Sequence, residues 1–299
     1  MARVSVCVPT FNPGVHLKPA LDTVLSQTFT DFELIIVDDC SSEEVETIVF
    51  QIDDPRIRFF RNEANLGLVG NWNRCIDLAS GEYVSIFHQD DLMDRENIGS
   101  KTAILDLYPQ VGIVYSNILR IDENSQIIGG HYISQPSQDV VLTGVQLFQM
   151  VADTGNPVAC PSVMARRECY EKLGRFDDRL PFATDMEMWL RIARVYSVGY
   201  LARPLLSHRV HGRQETARFA GSGLDYCDIL NALDIAFSND LPSEYARYRL
   251  QAYSTLEGQA WAMANYKLRL GKLKSAWRYG VVAVLARRRS RLSSASCST

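Results

Sequence analysis

The chain has 299 residues, of which 46% are hydrophobic and 22% charged, as is usual for globular proteins. This length suits one large domain with an appendage and argues against extensive disorder. The charge is uneven, because residues 241–299 hold 11 Lys and Arg against 2 Asp and Glu, whereas residues 1–240 hold 20 against 33. A main body this acidic argues against nucleic acid as a partner.

The cysteine content and the hydropathy of the chain indicate the cellular compartment in which we expect the protein. The seven Cys are odd in number and form no CxxC pair, which favours reduced thiols over a disulfide or zinc framework. No apolar run approaches the roughly 20 residues that span a bilayer. Met1 leads almost directly into a strand-like segment, so we expect no signal peptide and a cytoplasmic protein.

Strands and helices alternate in the first half of the chain. Helical spacing of Leu17, Leu21 and Val24 predicts the first helix. The predicted order is strand 4–8, helix 17–25, strand 32–37, helix 43–50, strand 57–60, helix 71–79 and strand 83–87. This alternation predicts an α/β fold with a mainly parallel sheet flanked by helices.

Two of these strands end in paired carboxylates, Asp38-Asp39 and Asp90-Asp91. Adjacent like charges at the end of a buried strand repel each other, and a divalent cation would offset that repulsion. Strand carboxyl ends are also where α/β sheets bind ligands. The competing interpretation is that these Asp residues cap the following helix or turn.

The second half is less regular. Its predicted elements are strands 112–116, 118–121 and 163–165, a polar loop or hairpin at 123–139, and helices 143–152 and 186–196. The Gly-rich segment 212–223 is a candidate mobile lid. From residue 224 the pattern is helical, and we expect the Arg- and Ser-rich end from Arg287 to be disordered.

Several ordered motifs together resemble family 2 glycosyltransferases, nucleotide-sugar-dependent enzymes of the GT-A fold. They are 4–12, 26–34 with 37–41, Asn65-Leu66-Gly67, and Gly81-Glu82-Tyr83 leading into Asp90-Asp91. The resemblance implies a Rossmann-like GT-A domain over 1–220, with a nucleotide-binding part at about 1–122 and an acceptor part at about 123–220. A helical C-terminal extension with a basic tail, 221–299, lies outside it.

The resemblance implies a donor site for a UDP- or dTDP-type nucleotide sugar. Asp39 would accept a hydrogen bond from the imide N–H of the base, although it could instead cap a helix. Gly67 would permit close approach of the backbone to the diphosphate. The other implied substrate-binding residues are Pro9, Thr10, Asn12, Asp38, Asn71, His88, Ser162 and Arg209.

The resemblance also implies a metal site for Mn²⁺ or Mg²⁺ at Asp90 and Asp91. Relatives carry Asp-x-Asp-Asp here, whereas this chain has His88-Gln89-Asp90-Asp91. His88 would then contact the sugar or ribose, or merely end the strand. His211 would complete the metal site or bind the diphosphate, unless it is a surface residue.

Asp185 resembles the general base of the family, which removes a proton from the acceptor hydroxyl. Thr184 stands where relatives carry Glu, Glu187 is the second candidate base, and helix capping is the alternative for Asp185. The implied reaction is inverting transfer of a sugar to a sugar or lipid-linked acceptor, in synthesis of cell-surface polysaccharide or lipopolysaccharide.

Two other function classes stay open. The substitutions at His88 and Thr184 are compatible with a non-catalytic nucleotide-sugar-binding or scaffold protein of the same fold. A nucleotidyltransferase is disfavoured, because the loop from Pro9 to Gly14 contains no Lys or Arg to hold phosphates.

The basic C-terminal helices suggest peripheral contact with the inner face of a membrane. Trp261, Trp277, Tyr279 and the arginine cluster at 287–291 would form the contact. A solvated basic helix end or a dimer contact is the alternative.

Overall fold

A computed structural model describes residues 2–214, 218–238 and 241–296, with side chains up to residue 291. Within these residues the chain forms two compact units. The first comprises residues up to 142, 158–176 and 195–211, and the second comprises 143–157, 177–194 and the chain from 212 onward. The predicted domain boundary at residue 220 stays a prediction.

The first unit is built on a mixed sheet. In the described residues its strands are β1 Val4–Thr10, β2 Phe32–Asp38, β3 Ile57–Arg61, β4 Tyr83–Ile86, β5 Leu92–Met93, β6 Val111–Ile121, β7 Ile127–Gly130, β8 Val140–Leu142, β9 Val163–Arg166 and β10 Ser197–Arg209. Their order is β3-β2-β1-β4-β9-β6-β10-β5, with β7 beside β6 and β8 beside β10. The run from β3 to β4 is parallel, and β9 is antiparallel to both its neighbours. The predicted α/β class is confirmed.

Helices occur in both units. They are α1 Leu17–Leu25, α2 Val45–Phe50, α3 Gly67–Leu78, α4 Asn97–Leu107, α5 Gly144–Thr154, α6 Arg167–Leu173, α7 Thr184–Ala193, α8 Leu224–Ala236, α9 Ser243–Ala246, α10 Arg249–Arg269 and α11 Leu273–Ser296. The first four and α6 belong to the first unit, and the rest belong to the second.

The central strands of the first unit are mainly apolar because they are buried on both faces. Both faces of β1 and β2 are covered, so nearly every residue of these strands is buried. On one face, α1 buries Leu17, Leu21 and Val24 at helical spacing. This rigid centre fixes where the loops after β1, β2 and β4 begin.

Some predicted elements differ from the structure. The two strands predicted at 112–116 and 118–121 are one strand, β6, because Asn117 still pairs with Pro204 of β10, although the register shifts on both sides of this pair. The segment that follows is a hairpin, since β7 pairs antiparallel with β6. Helix α3 begins at Gly67, four residues before the predicted start at Asn71.

The C-terminal end also differs from the prediction. Disorder was expected from Arg287, but α11 continues to Ser296. Arg287 lies 3.8 Å from Glu257, Arg289 pairs with Asp234 at 3.2 Å, and Ala286 is buried, so the basic end is held by ion pairs and packing. The predicted lid at 212–223 includes residues 215–217, and the Ser-rich tail includes 297–299. Both sets lie outside the described residues.

The second unit is helical. Helix α5 starts with a capping box, in which the Thr143 hydroxyl accepts from the Gln146 N–H and the Gln146 side chain accepts from the Thr143 N–H. Helices α10 and α11 form a hairpin whose turn contains Gly271 at φ +68°. Among the described helices, none has the length and hydropathy needed to cross a bilayer.

Candidate active site

The carboxyl ends of β1 and β4 are joined by one side chain. The Phe11 N–H donates to Gln89 Oε1 at 2.8 Å, and Gln89 Nε2 donates to the Phe11 carbonyl at 3.1 Å. These two bonds hold the loop after β1 against the segment that precedes Asp90 and Asp91. The predicted nucleotide loop and the acidic pair therefore lie side by side.

Asp91 is the centre of a histidine-rich cluster. Its carboxylate is fully buried and accepts the Arg209 N–H at 2.8 Å. His208 Nδ1 lies 3.2 Å from Asp91 Oδ1, and His88 Nδ1 lies 3.8 Å from Asp91 Oδ2. One ligand atom from each of His88, Asp91 and His208 falls within 4.8 Å of the others, so these three residues could hold a metal ion.

The two imidazoles of this cluster differ in environment. Burial lowers the pKa of His88, whose ring stacks on Trp72 at 5.6 Å between centroids. Its Nε2 is buried and has no hydrogen-bond partner among the described residues. Burial also acts to lower the pKa of His208, but the Asp91 carboxylate outweighs it and the pKa is raised.

Asp90 has a separate histidine partner. His211 Nε2 lies 2.8 Å from Asp90 Oδ2, and the His211 ring lies 5.3 Å from that of His16. The structure thus brings together the three residues predicted to bind metal, Asp90, Asp91 and His211, although His211 contacts Asp90 and the candidate ligands His88 and His208 surround Asp91.

Arg209 serves as a structural link in this region. Its side chain is buried, and its guanidinium donates to the carbonyls of Asp90, Asp122 and Glu123 at 2.8–3.2 Å. These bonds tie the acidic segment to the turn between β6 and β7. The Arg209 guanidinium thus bonds to backbone carbonyl oxygens, and its predicted role in substrate binding stays a prediction.

Asp39 organises the loop that begins α3. Its carboxylate accepts from Asn62 Nδ2 at 2.8 Å and from the N–H groups of Leu66 and Gly67 at 2.8 and 2.9 Å. Gly67 has φ +75°, a conformation that favours glycine. A carboxylate offers about four acceptor positions, so these three bonds leave one unused, although the side chain is buried.

The neighbouring Asp38 holds the loop after β2. Asp38 is buried, accepts from both the N–H and the hydroxyl of Ser41, and lies 3.0 Å from Arg61 Nη1. Asn12 Oδ1 accepts from the Ser42 N–H at 2.9 Å, which joins the loops after β1 and β2. Pro9 and Thr10 form the last residues of β1, where Thr10 pairs in register with Asp38.

Two other predicted substrate-binding residues lie in the interior. Asn71 is buried, and its side chain donates to the Val37 carbonyl at 3.0 Å and accepts from Asn62 at 3.1 Å. Ser162 is also buried and donates to the Ala159 carbonyl at 2.7 Å. Both side chains thus bond to the protein itself, and their predicted roles in substrate binding stay predictions.

Asp185 lies in the second unit, as the second residue of α7. Its Oδ1 accepts the Met186 N–H at 2.7 Å, and its Oδ2 accepts from Asn156 Nδ2 at 3.2 Å. Burial raises the pKa of Asp185 to about 7, although part of its surface is exposed. A carboxylate with this pKa can accept and release a proton near neutral pH.

Glu187, the second candidate base, is committed to an ion pair. It is buried, and Arg191 donates to both carboxylate oxygens through Nε at 3.0 Å and Nη2 at 2.6 Å. This bidentate pair occupies both oxygens of the carboxylate. The geometry therefore favours Asp185 over Glu187 as a proton acceptor.

Sequence reasoning missed His208, Gln89 and Asn156. His208 is the next-to-last residue of β10 and directly precedes the predicted residue Arg209, so a histidine at a strand end was a usable signal. Gln89 bonds to Phe11, 78 positions away, and Asn156 bonds to Asp185, 29 positions away. Contacts between residues this far apart cannot be predicted from a local sequence pattern.

Comparison with known proteins gives the family. The family model described as Glycosyl transferase family 2 matches residues 5–174. An uncharacterized glycosyltransferase of Rickettsia typhi is 29% identical over 218 residues, which cover 71% of this chain and 65% of that protein. The chain thus spans slightly less than two thirds of the length of this relative.

Two solved structures are similar at low sequence identity. The structure of residues 1–349 of S. aureus TarS in complex with UDP-GlcNAc has a TM-score of 0.67 at 16% identity, covering 96% of this chain and 92% of that chain. The mannosyltransferase PcManGT from Pyrobaculum calidifontis, in complex with GDP-Man and Mn²⁺, has a TM-score of 0.62 at 18% identity. The match covers 98% of this chain and 84% of that chain. The fold is GT-A, as predicted, and the chain belongs to glycosyl transferase family 2.

Proposed function

We propose that this protein is a metal-dependent inverting glycosyltransferase that moves a sugar from a UDP- or dTDP-type nucleotide sugar to an acceptor hydroxyl. The observation that carries the proposal is the cluster of His88, Asp91 and His208 beside the loops that follow β1 and β2. A nucleotide-sugar donor needs a cation for its diphosphate and neighbouring loops for its nucleoside, and this cluster with its neighbouring loops would supply both.

The chemistry of the cluster suits a divalent cation. It combines one carboxylate with two imidazoles, and the buried His88 Nε2 has no partner among the described residues. Of the two predicted cations, Mg²⁺ is the one more strictly limited to oxygen ligands, so we favour Mn²⁺ at a site with two imidazoles. When bound, the cation would neutralise charge on the departing diphosphate. His88, Asp91 and His208 would hold it, and Asp90 and His211 would lie next to it.

The donor nucleotide would lie against the loops that Asp39 and Asp38 organise. After its three loop bonds, the buried Asp39 carboxylate has one unused acceptor position, which would accept from the imide N–H of uracil or thymine. Gly67, without a side chain, would let the diphosphate approach the start of α3. Pro9, Thr10 and Asn12 would line the base and ribose.

Asp185 would act as the general base. The acceptor oxygen forms a bond to the anomeric carbon of the sugar while the bond from that carbon to the diphosphate oxygen breaks. The proton of the acceptor hydroxyl passes to the Asp185 carboxylate. A single displacement of this kind inverts the configuration at the anomeric carbon.

A thermal-shift assay tests the donor class. UDP, dTDP and GDP would each be added with Mn²⁺, with Mg²⁺ and with EDTA, since ligands that bind the folded state raise its stability by mass action. We expect UDP or dTDP with Mn²⁺ to raise Tm most. Equal shifts for all three nucleotides, or no shift with Mn²⁺ present, would contradict the proposed donor.

The second candidate is a non-catalytic nucleotide-sugar-binding or scaffold protein, which the replacements at His88 and Thr184 motivate. It would give the same thermal shift without consuming the donor. Metal-dependent release of nucleoside diphosphate from the nucleotide sugar separates the two, because only the enzyme releases it.

We further propose that the protein works at the inner face of a membrane on a lipid-linked sugar, in synthesis of surface polysaccharide or lipopolysaccharide. The tip of the α10–α11 hairpin supports this, because Leu270, Leu273 and Trp277 are 50%, 68% and 70% exposed. Exposed Arg269, Lys272 and Lys274 lie among them, and the chain has no Asp or Glu after Glu257. Apolar side chains rimmed by cations suit an anionic bilayer surface.

The contact differs in detail from the sequence-based expectation. Tyr279 is buried and donates to Asp225 at 2.9 Å, so it cannot reach a membrane from this position. Arg287 and Arg289 lie beside acidic side chains, which leaves the hairpin tip as the better candidate surface.

Co-sedimentation with vesicles tests this part. Vesicles of phosphatidylcholine, with and without phosphatidylglycerol, would be mixed with the wild type, the double variant Leu273→Ser and Trp277→Ser, and the control Val284→Ser. Val284 is 42% exposed on the same helix but away from the tip. Binding to phosphatidylglycerol vesicles that only the double variant loses would support the proposal, and equal binding by all three would refute it.

A further inference from the structure

The helix that carries Asp185 begins without a cap of its own. Ala183 is the N-cap residue of α7 and offers no side-chain acceptor. The N–H groups of Phe182 and Ala183 instead both donate to Asp228 Oδ2, each at 2.7 Å. One carboxylate oxygen therefore receives the two backbone donors that lead into the helix.

Asp228 reaches this position from a distant part of the chain. It belongs to α8 and lies 45 residues after Ala183. Only 6% of its surface is exposed, and its bonds are charge-assisted and lie at a helix N-terminus, where a negative charge is stabilised. Burial raises the pKa of Asp228, while the two N–H donors act in the opposite direction by stabilising its charged form.

The first turn of α7 determines where the Asp185 carboxylate points. Asp185 follows Ala183 by two residues, and one of its oxygens accepts from the next backbone N–H, that of Met186. Thr184 between them donates to the Asp177 carbonyl at 3.0 Å. Any movement of the 182–183 backbone would therefore carry Asp185 with it.

We propose that Asp228 is a positioning residue for Asp185, which it holds in place by fixing the backbone at the start of α7. The inference rests on the proposed function, in which Asp185 is the general base. It assigns a task in the reaction to the C-terminal helices, which lie beyond the region 5–174 that defines the family match.

Three variants test the proposal. Asp228→Ala removes the acceptor, and Asp228→Asn keeps an uncharged oxygen. Asp234→Ala is the matched control, because Asp234 is on the same helix but contacts Tyr253 and Arg289 instead of α7. For each, kcat, acceptor KM, donor Kd and Tm would be measured with the full chain.

A displaced general base lowers kcat, and a misplacement of about 1 Å can cost about 100-fold. We expect Asp228→Ala to lower kcat about 10- to 100-fold with an unchanged donor Kd, and Asp228→Asn to recover most of that loss. Asp234→Ala should keep kcat even where its Tm falls. A wild-type kcat in Asp228→Ala overturns the proposal. If that variant does not fold, Asp228→Ser takes its place, because its shorter side chain cannot reach both N–H groups, and a wild-type kcat in Asp228→Ser overturns the proposal.

A double variant separates this inference from the proposed function. Asp185→Asn with Asp228→Ala should be no slower than Asp185→Asn alone, because Asp228 acts through Asp185. A further loss in the double variant would show that Asp228 acts independently, and it would refute the positioning role. Full transfer activity in Asp185→Asn alone would instead refute the general base, and with it the proposed function.

Discussion

The backbone N–H of Arg209 donates to the carboxylate of Asp91 at 2.8 Å, across 118 residues of sequence. This bond fastens the last residue of β10 to the acidic pair that follows β4. It brings His208 and His211, which flank Arg209 in sequence, to Asp91 and Asp90. A candidate metal site thus arises from two strand ends that the sheet topology places together.

Removal of the central carboxylate should abolish the effect of the metal. For Asp91→Asn, and for His208→Ala, we expect Mn²⁺ to lose its ability to tighten donor binding, with a loss in metal affinity of at least the roughly 10- to 100-fold that removal of an outer-shell partner costs. Isothermal titration with Mn²⁺ in the presence of the nucleoside diphosphate measures this. Asp22→Asn is the control, because Asp22 is an exposed carboxylate that pairs with Lys18 on α1 and is no part of the cluster. Unaltered Mn²⁺ affinity in Asp91→Asn would rule out this cluster as the site.

Activity should depend on pH through Asp185. Its pKa is raised to about 7 by burial, and only the ionised carboxylate can accept the acceptor proton. The value of kcat/KM should therefore rise with pH and level off above about 7. Measurements from about pH 5.5 to 8.5 at saturating Mn²⁺ would reveal this limb. A profile that is flat across the range would contradict a titrating base with this pKa.

Glu187 should matter for stability and little for chemistry. Because its buried carboxylate pairs with Arg191, Glu187→Gln should lower the free energy of unfolding by about 1–3 kcal/mol. Transfer activity should remain within a few-fold of the wild type below the unfolding temperature. Urea denaturation and initial rates give the two readouts. A folded Glu187→Gln protein without activity would point to Glu187 as the base.

A buried lysine away from the site should destabilise the first unit. Lys101 is fully buried with Asn97 as its hydrogen-bond partner, and burial lowers its pKa to about 7. The unfolded chain therefore binds a proton that the folded chain lacks between about pH 7 and 10.5, and stability falls as pH decreases through this window.

Lys101→Met should accordingly raise the free energy of unfolding near pH 7 by about 1–3 kcal/mol, after allowing for the lost bond to Asn97. The gain should shrink towards about pH 10, where the lysine is neutral in both states. Urea denaturation at both pH values checks this, with the exposed Lys18→Met as control. A variant less stable than the wild type at both pH values would contradict the account.

Local sequence carried much of the fold. The apolar runs of β1, β2 and β4 are buried on both faces, and helical spacing in α1 matches its buried side, so each could be identified from a short window. The paired Asp residues at two strand ends pointed to one edge of the sheet because those strands are parallel. The start of α3 was less predictable. The helix begins at Gly67, whose N–H donates to the Asp39 carboxylate 28 residues earlier, and a local pattern does not reveal this contact.

The contacts within the site were harder to predict from the sequence, because they join residues that are far apart in the chain. Arg209 resembled a ligand-binding cation, but the turn at Asp122 and Glu123 supplies acceptors that only the folded chain brings near. One local signal was available for Asp228. The start of α7 has Ala where a capping side chain is expected, so the local sequence supplies no N-cap acceptor there, and Asp228 bonds to the backbone just before the helix.

The most direct test of the central claim is a comparison of nucleoside diphosphate release and donor binding in the wild type and in Asp185→Asn, both with Mn²⁺. Asn keeps the shape of the side chain and removes its capacity to take a proton. The account predicts unchanged donor affinity and loss of nearly all transfer in Asp185→Asn. Transfer at the wild-type rate in that variant would contradict it.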